Sequence, residues 1–292
     1  MLKVQSASKS GAIYAVLAYS AWGLFPIYWK FLTQVPAVEL VCHRIIWSML
    51  LLMGLLVAQR RISEFLQLWK SPASIASLLL TTTLIAGNWC IYIYGVNTGH
   101  IVETSLGYYI NPLVTVLLGS VILREKLSFP KKIAVLLAAI AVFNFIWNFG
   151  QVPWIAIALA FSFALYGLFR KLIKVTPIVG LTVETLLATP IALLYIGYGA
   201  ATGTGSFGSS LQVNLLLIGC GIVTAFPLLW FNNAAKRLQL STLGFFQYLA
   251  PSLQLLIGVA LYREPFTAIH AVTFGLIWSA IAIYSIASLK TT

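Results

Sequence analysis

The strongest constraint on this chain is a series of long apolar runs. Each run is about 20 residues long, the length an α-helix needs to cross the ~30 Å hydrocarbon core of a bilayer. Hydrophobic residues make up 60% of the 292 positions and charged residues 8%, whereas soluble domains carry roughly 25% charged residues. A water-soluble globular fold is therefore excluded. The runs lie at 11–31, 37–58, 74–96, 102–123, 132–149, 153–170, 178–198, 211–231, 241–262 and 268–289.

These runs favour helices over the strands of a membrane barrel. Barrel strands alternate apolar and polar residues over about ten positions, whereas each run here is apolar without alternation. Inside lipid a helix satisfies its own backbone hydrogen bonds. The sequence therefore predicts an all-α membrane protein with ten transmembrane helices.

The distribution of basic residues predicts the orientation of the helices. If the first residues lie in the cytoplasm, fifteen of the eighteen Lys and Arg fall in cytoplasmic segments, two (Lys30 and Arg263) fall outside, and Arg44 lies within a span. Such asymmetry follows the positive-inside rule. We expect a multi-pass protein of the cell inner (plasma) membrane with both termini cytoplasmic. The basic residues form no continuous face, so we expect no nucleic-acid partner.

The sequence repeats itself at an offset of 139 residues. Tyr109-Ile110-Asn111-Pro112, Gly119 and Arg124-Glu125 in the fourth span correspond to Tyr248-Leu249-Ala250-Pro251, Gly258 and Arg263-Glu264 in the ninth. The repeating unit is five helices, residues 1–149 and 150–292. Because five is odd, the second copy must enter the membrane inverted, and the basic loops change sides accordingly. Inverted repeats of this kind are typical of secondary transporters, whose substrate site lies near the midplane.

These repeated residues resemble a known family. Pro112, Gly119, Glu125 and Leu127 resemble the EamA repeat of the drug/metabolite transporter superfamily, and the second copy from Pro251 resembles it too. The segments around Trp22-Gly23-Leu24-Phe25-Pro26, His43-Arg44 and Asn88-Trp89 are similar to the RarD branch, whose name comes from a chloramphenicol-related phenotype. The resemblance implies a permease with ten helices and a central cavity lined mainly by spans one, three, four, six, eight and nine.

Four ionisable residues within the spans are functional candidates, because charges inside a bilayer are costly. Glu39 and His43 lie four residues apart on one helix face and are our proton-coupling candidates. Arg44 offers a permanent cation for carboxylate or phosphate groups. The alternatives are that Arg44 extends to the interface and that Glu39 is structural. We expect Glu184, the counterpart of Glu39, to pair with a basic residue.

Neutral polar and aromatic residues at intramembrane positions predict the rest of a substrate site. The alternative for any one of them is a structural role, as an interhelical hydrogen bond or as core packing. Together with Arg44, the predicted substrate-binding residues are Asn88, Trp89, Tyr92, Tyr109, Asn111, Asn232, Gln247, Tyr248 and Gln254.

Three further motifs have structural interpretations. We interpret Arg124-Glu125 and Arg263-Glu264 as helix termini. Residues 203–208 match GxGxxG, but no strand precedes them, so a flexible loop is favoured over a dinucleotide site. An intramembrane enzyme is disfavoured because the chain has no Asp and lacks HExxH and GxSxG.

The sequence therefore predicts a secondary transporter that exports a small organic metabolite or drug-like solute by alternating access, with a proton as the coupling ion if transport is uphill. The alternative is a passive channel or a lipid-translocating protein on the same fold. The expected partners are a small-molecule solute and the lipid bilayer, the protein acting as a monomer or homodimer. No cofactor and no metal are expected.

Overall fold

The computed structural model describes residues 2–98, 100–149, 153–263 and 268–290, and these residues form helices without a strand. The helices are α1 Leu2–Lys30, α2 Ala37–Ala58, α3 Ile62–Leu68, α4 Pro72–Asn97, α5 Ile101–Val121, α6 Phe129–Phe149, α7 Trp154–Leu172, α8 Pro177–Thr202, α9 Leu211–Arg237, α10 Leu240–Gln247, α11 Leu249–Ala260 and α12 Ala268–Lys290.

The described helices do not correspond one to one to the ten predicted ones. Helix α3 is an additional helix of seven residues between α2 and α4. The ninth predicted span is interrupted at Tyr248, where α10 ends and α11 begins. Pro251 favours a break at this point, because a proline lacks the N–H for the helical bond and clashes with the carbonyl four residues earlier, although a proline alone does not impose one. In α5 the corresponding Pro112 lies inside a continuous helix.

Eight segments of the described residues are long and apolar enough to cross a membrane. They lie in α1, α2, α4, α7, α8, α9, α12 and the α10–α11 pair. Large apolar side chains on the outside of the bundle match a lipid environment, since Ile191, Leu194 and Trp147 are each about three-quarters exposed. The predicted spans in α5 and α6, each 21 residues long, remain predictions.

The helices pack mainly between the two halves of the sequence. Helix α2 packs against α8 and α9, α1 against α9 and α11, and α5 against α7 and α10, while α4 packs against α7 and α8. Helices α6 and α12 pack against each other. Small residues permit the closest of these approaches, and a Cβ at Gly221 of α9 would lie 2.6 Å from the main chain of Trp47.

Candidate functional site

A cavity of about 460 Å³ lies among helices from both halves of the chain. This volume is in the range of sites for small organic molecules. Five stretches line it with the spacing i, i+3, i+4, i+7; four of them each present one face of a single helix, and the fifth runs from the end of α10 into α11. These residues are Trp22, Phe25, Pro26 and Trp29; Ala37, Leu40, Val41 and Arg44; Ile85, Asn88, Trp89 and Tyr92; Thr104, Gly107, Tyr108 and Asn111; and Gln247, Ala250, Pro251 and Gln254.

The cavity contains seven of the ten predicted substrate-binding residues, namely Arg44, Asn88, Trp89, Tyr92, Asn111, Gln247 and Gln254. Three others lie elsewhere. Tyr109 packs edge-on against Phe274, and the Tyr248 hydroxyl donates to the Tyr109 carbonyl at 3.4 Å. Asn232 is buried and donates to the hydroxyl of Tyr166. None of these three is part of the cavity lining.

Arg44 is the charged residue among the lining residues. Its Nε donates to Thr224 Oγ1 at 3.0 Å, which ties α2 to α9. Its guanidinium also lies over two indole rings, 4.8 Å from the centroid of Trp89 and 5.4 Å from that of Trp29. Stacking of this kind holds a cation by its attraction to the ring faces. The guanidinium is thereby positioned at the cavity wall by neutral groups.

Two asparagines connect the cavity wall to α7. Asn88 Nδ2 donates to the Leu159 carbonyl and to Ser162 Oγ, each at 2.9 Å. Asn111 Nδ2 donates to the Ala160 carbonyl at 2.5 Å, while its Oδ1 is buried and has no hydrogen-bond partner among the described residues. Both amides therefore join helices, and the oxygen of Asn111 is left as an unused acceptor.

Glu39 and His43 lie together but outside the cavity lining. Glu39 Oε1 is 3.7 Å from His43 Nε2. The Glu39 carboxylate accepts hydrogen bonds from Ser206 N at 2.7 Å and Ser206 Oγ at 2.8 Å. The ring of Phe207 stacks on His43, with centroids 5.3 Å apart. The pair thus holds the 203–208 loop, predicted to be flexible, against α2.

Glu184 pairs with a basic residue, as predicted. Its Oε1 lies 3.4 Å from Arg170 Nη1, and both side chains are almost completely buried. Thr81 and Tyr166 donate to the same carboxylate at 2.5 and 3.2 Å. Gly180 makes room for the pair, since a Cβ there would lie 2.2 Å from Arg170 Nη1. The cluster connects α4, α7 and α8.

The acidic residue Glu125, four positions after the end of α5, caps another helix. Glu125 accepts from the main-chain nitrogens of Leu240 and Ser241 at 2.6 and 2.8 Å, at the beginning of α10. A carboxylate in this position satisfies free N–H groups and complements the helix dipole. Its counterpart Glu264 lies outside the described residues.

Several lining residues were missed by the sequence analysis. Tyr19, Trp22, Phe25, Trp29, Tyr108 and Phe163 are aromatic residues of the cavity wall. The available signal was periodicity, because Trp22, Phe25 and Trp29 recur at positions that share one helix face. Helix α2 was also missing from the cavity helices that the family resemblance implied, although it carries Arg44.

These helices and this cavity define a membrane transporter, and comparisons with known proteins agree. The EamA-like transporter family matches residues 9–147. A Vibrio cholerae protein named "Uncharacterized transporter" is 47% identical over 98% of this chain and 95% of its own length. The Escherichia coli and Salmonella typhi proteins named "Protein RarD" are 43% and 44% identical over 97% of this chain and 96% and 97% of theirs.

A solved structure, described as "Crystal structure of protein", has 16% sequence identity and a TM-score of 0.72 over 96% of this chain and 98% of its own. At that identity the likeness shows the fold alone. The chain belongs to the EamA-type drug/metabolite transporters, in their RarD branch. It is a multi-pass inner-membrane transporter and not an enzyme.

Proposed function

We propose that the protein is a secondary carrier that moves a small organic solute through the cavity by alternating access. The observation that carries this proposal is the cavity itself, which is lined by α1, α2, α4 and α5 from the first half and by α7, α9, α10 and α11 from the second. A movement of one half against the other would therefore change access to the cavity from both sides of the membrane at once. Sites between repeats are typical of secondary transporters.

The two halves are proposed to be inverted five-helix repeats, residues 1–149 and 150–292, giving ten spans. The helix contacts support an internal two-fold relation. Exchange of the halves converts the contact of α1 with α9 into that of α7 with α4, and the contact of α2 with α9 into that of α8 with α4; both members of each pair occur. The proposed boundary falls at residues 150–152, outside the described residues.

Equivalent residues of the repeats also support this relation. Tyr109 and Tyr248, which are 139 positions apart, are joined by a hydrogen bond, as expected for residues near a two-fold axis. Arg124 and Arg263, also 139 apart, both adopt a left-handed backbone with φ of 54° and 55°. A non-glycine residue seldom does so, and among the described residues Arg60 is the one other case.

We propose that this conformation is closed at the cytoplasmic end. There the halves are in contact: Glu125 accepts from the main-chain nitrogens of Leu240 and Ser241, and a Cβ at Gly11 of α1 would lie 2.9 Å from Leu238 Cγ. The cavity lies toward the other end, since it includes the last turns of α1 and the first turns of α2. With both termini in the cytoplasm, the cavity would face outward.

Glu39 and His43 remain our candidates for proton coupling. We propose that they act through the 203–208 loop and not by direct contact with the solute. Protonation of Glu39 would remove the charge that accepts two hydrogen bonds from Ser206. If coupling works in this way, Glu39→Gln and His43→Gln abolish the pH dependence of flux while Glu64→Gln, on the exposed helix α3, leaves it unchanged. Unchanged pH dependence in the first two variants would remove both residues from the mechanism.

Counterflow in proteoliposomes tests the carrier. A metabolite that raises the melting temperature of the purified protein is radiolabelled, and its uptake is measured into vesicles preloaded with the unlabelled compound. A carrier gives saturable uptake that is accelerated by preloading. Unsaturable flux would instead indicate a channel, and transfer of a fluorescent phospholipid between leaflets would indicate a lipid-translocating protein. Efflux from right-side-out vesicles tests the proposed direction, export.

A matched pair of variants connects flux to the cavity. Ala37, the first residue of α2, lines the cavity, whereas Ala58, the last residue of the same helix, is exposed away from it. We expect Ala37→Trp to abolish counterflow and Ala58→Trp to retain it. Equal flux in both variants would show that the solute does not pass through this cavity.

Cysteine labelling tests the inverted topology. Ser63 lies in the connection between α2 and α4, and Ser209 lies in the connection between α8 and α9. A membrane-impermeant maleimide should label Ser209→Cys but not Ser63→Cys in intact cells, after the natural cysteines are replaced. Labelling of both from the same side would refute the inverted arrangement.

A further inference from the structure

The charge of Arg44 is not balanced by an acidic residue of the cavity. The chain contains no Asp and six Glu. Each of the five described Glu is engaged elsewhere: Glu39 by Ser206, Glu64 by Arg61, Glu103 by the main-chain nitrogen of Ile155, Glu125 by the start of α10, and Glu184 by Arg170. Glu264 lies outside the described residues. None of these five Glu is among the lining residues, so the described lining carries the positive charge of Arg44.

A guanidinium without an acidic partner is unusual within a membrane-spanning helix. Ionisable residues within membrane spans normally pair with one another or with backbone carbonyls, and Arg44 is half-buried at the cavity wall. Arg44 has a neutral hydroxyl and two indole rings as partners. These groups orient the guanidinium without neutralising it, and the planar fork of an arginine fits a carboxylate with two parallel hydrogen bonds.

The rest of the wall is adapted to a flat apolar body. Eight of the lining residues are aromatic, and the rings of Tyr92 and Tyr108 lie edge to face at 6.4 Å between centroids. Aromatic walls bind planar groups through stacked or edge-to-face contacts.

We propose that the cargo is an organic monoanion with a planar ring, whose carboxylate binds Arg44 and whose ring packs on the aromatic wall. This inference rests on the proposed function of the same cavity and specifies its substrate class. Cations are disfavoured because the lining residues include Arg44 and no acid. The export of an anion would also be assisted by an inside-negative membrane potential.

The test compares three indole compounds that share a ring and differ in charge: indole-3-acetate, indole-3-acetamide and tryptamine. Binding to the purified full-length protein is measured by thermal shift and by equilibrium dialysis. We expect the acid to bind at least about tenfold more tightly than the neutral amide and tryptamine not to bind. In Arg44→Gln the preference for the acid should disappear, with the acid and the amide then binding equally.

Arg237 provides the matched control. It also places a guanidinium over a ring, 5.1 Å from the centroid of Tyr14, but it lies outside the cavity lining. Arg237→Gln should keep the preference for the acid. If Arg44→Gln fails to fold, Arg44→Lys and the three ligands on the unmodified protein still decide the question, because the charge preference is a property of the natural cavity.

Several outcomes would overturn the proposal. Equal binding of acid and amide to the natural protein would do so, as would a preference for the acid that survives in Arg44→Gln. The absence of binding by all three compounds at millimolar concentration would exclude a ring-bodied anion of this class. Selective binding of the acid without counterflow would leave the anion site standing and refute the carrier. Saturable counterflow of the amide without binding of the acid would support the carrier and refute the anion site.

Discussion

The buried pair of Arg170 and Glu184 gives the sharpest test of the energetics of this fold. At 3.4 Å and with both side chains almost completely buried, the attraction between unit charges is about 5 kcal/mol for an effective dielectric constant of about 20. The net value of the pair is smaller, since both groups have lost their hydration. Removal of one partner is more costly, because it leaves the other charge buried and alone, typically at about 3–5 kcal/mol.

We therefore expect Glu184→Gln to destabilise the protein by about 3–5 kcal/mol although the side chain keeps its shape. Gln keeps one acceptor oxygen for Thr81, while its amide nitrogen takes the place of the oxygen that accepts from Tyr166, so the change removes the charge and one acceptor. In detergent the apparent melting temperature should fall by roughly 10 °C, measured by intrinsic fluorescence and by the fraction that remains monodisperse after heating.

The exposed pair of Arg61 and Glu64 is the control. Its atoms are closer, at 2.7 Å, but the side chains are 26% and 46% exposed. The hydrogen bond from Arg61 lowers the pKa of the Glu64 carboxyl, so both groups are charged at neutral pH. Glu64→Gln should cost less than about 1 kcal/mol because water screens the pair. Equal losses in Glu64→Gln and Glu184→Gln, or a neutral effect of Glu184→Gln, would refute the argument from burial.

Three other predictions follow from the structure. Gly221→Ala should destabilise the protein by about 1–3 kcal/mol, because its Cβ would lie 2.6–2.8 Å from atoms of Trp47. Gly54→Ala, with nothing within 4 Å, should instead raise the melting temperature slightly, because alanine favours a helix interior more than glycine does. Arg124→Gly should raise stability by roughly 1 kcal/mol, because glycine adopts the φ of 54° without strain; a lower melting temperature would show that its side chain matters more than its backbone. Exchange in proteoliposomes should exceed net efflux by about tenfold, because the empty carrier must reorient with the charge of Arg44 unbalanced. The same ratio of exchange to net efflux in the natural protein and in Arg44→Gln would contradict this.

The sequence alone was sufficient for the features that depend on local composition. Apolar runs without alternation predicted helices, because lipid leaves the backbone no other partner for its hydrogen bonds. The repeated Tyr109 and Tyr248 segments and the family motifs led to the EamA-type family, which the comparisons confirmed. Asn88, Asn111 and Gln254 could be selected as cavity residues because polar groups within apolar runs are costly unless they have a purpose or a partner.

Only the tertiary structure decided which polar residues face the cavity and which face another helix. Glu39 and Arg44 are five positions apart on α2, yet one binds the loop at Ser206 and the other lines the cavity. Asn232 has the same chemistry as Asn111 but is directed to Tyr166. A sequence gives the angular spacing of side chains around a helix, whereas the rotation of that helix against its neighbours is set by close packing between distant segments. The same packing leaves Arg44 without an acid.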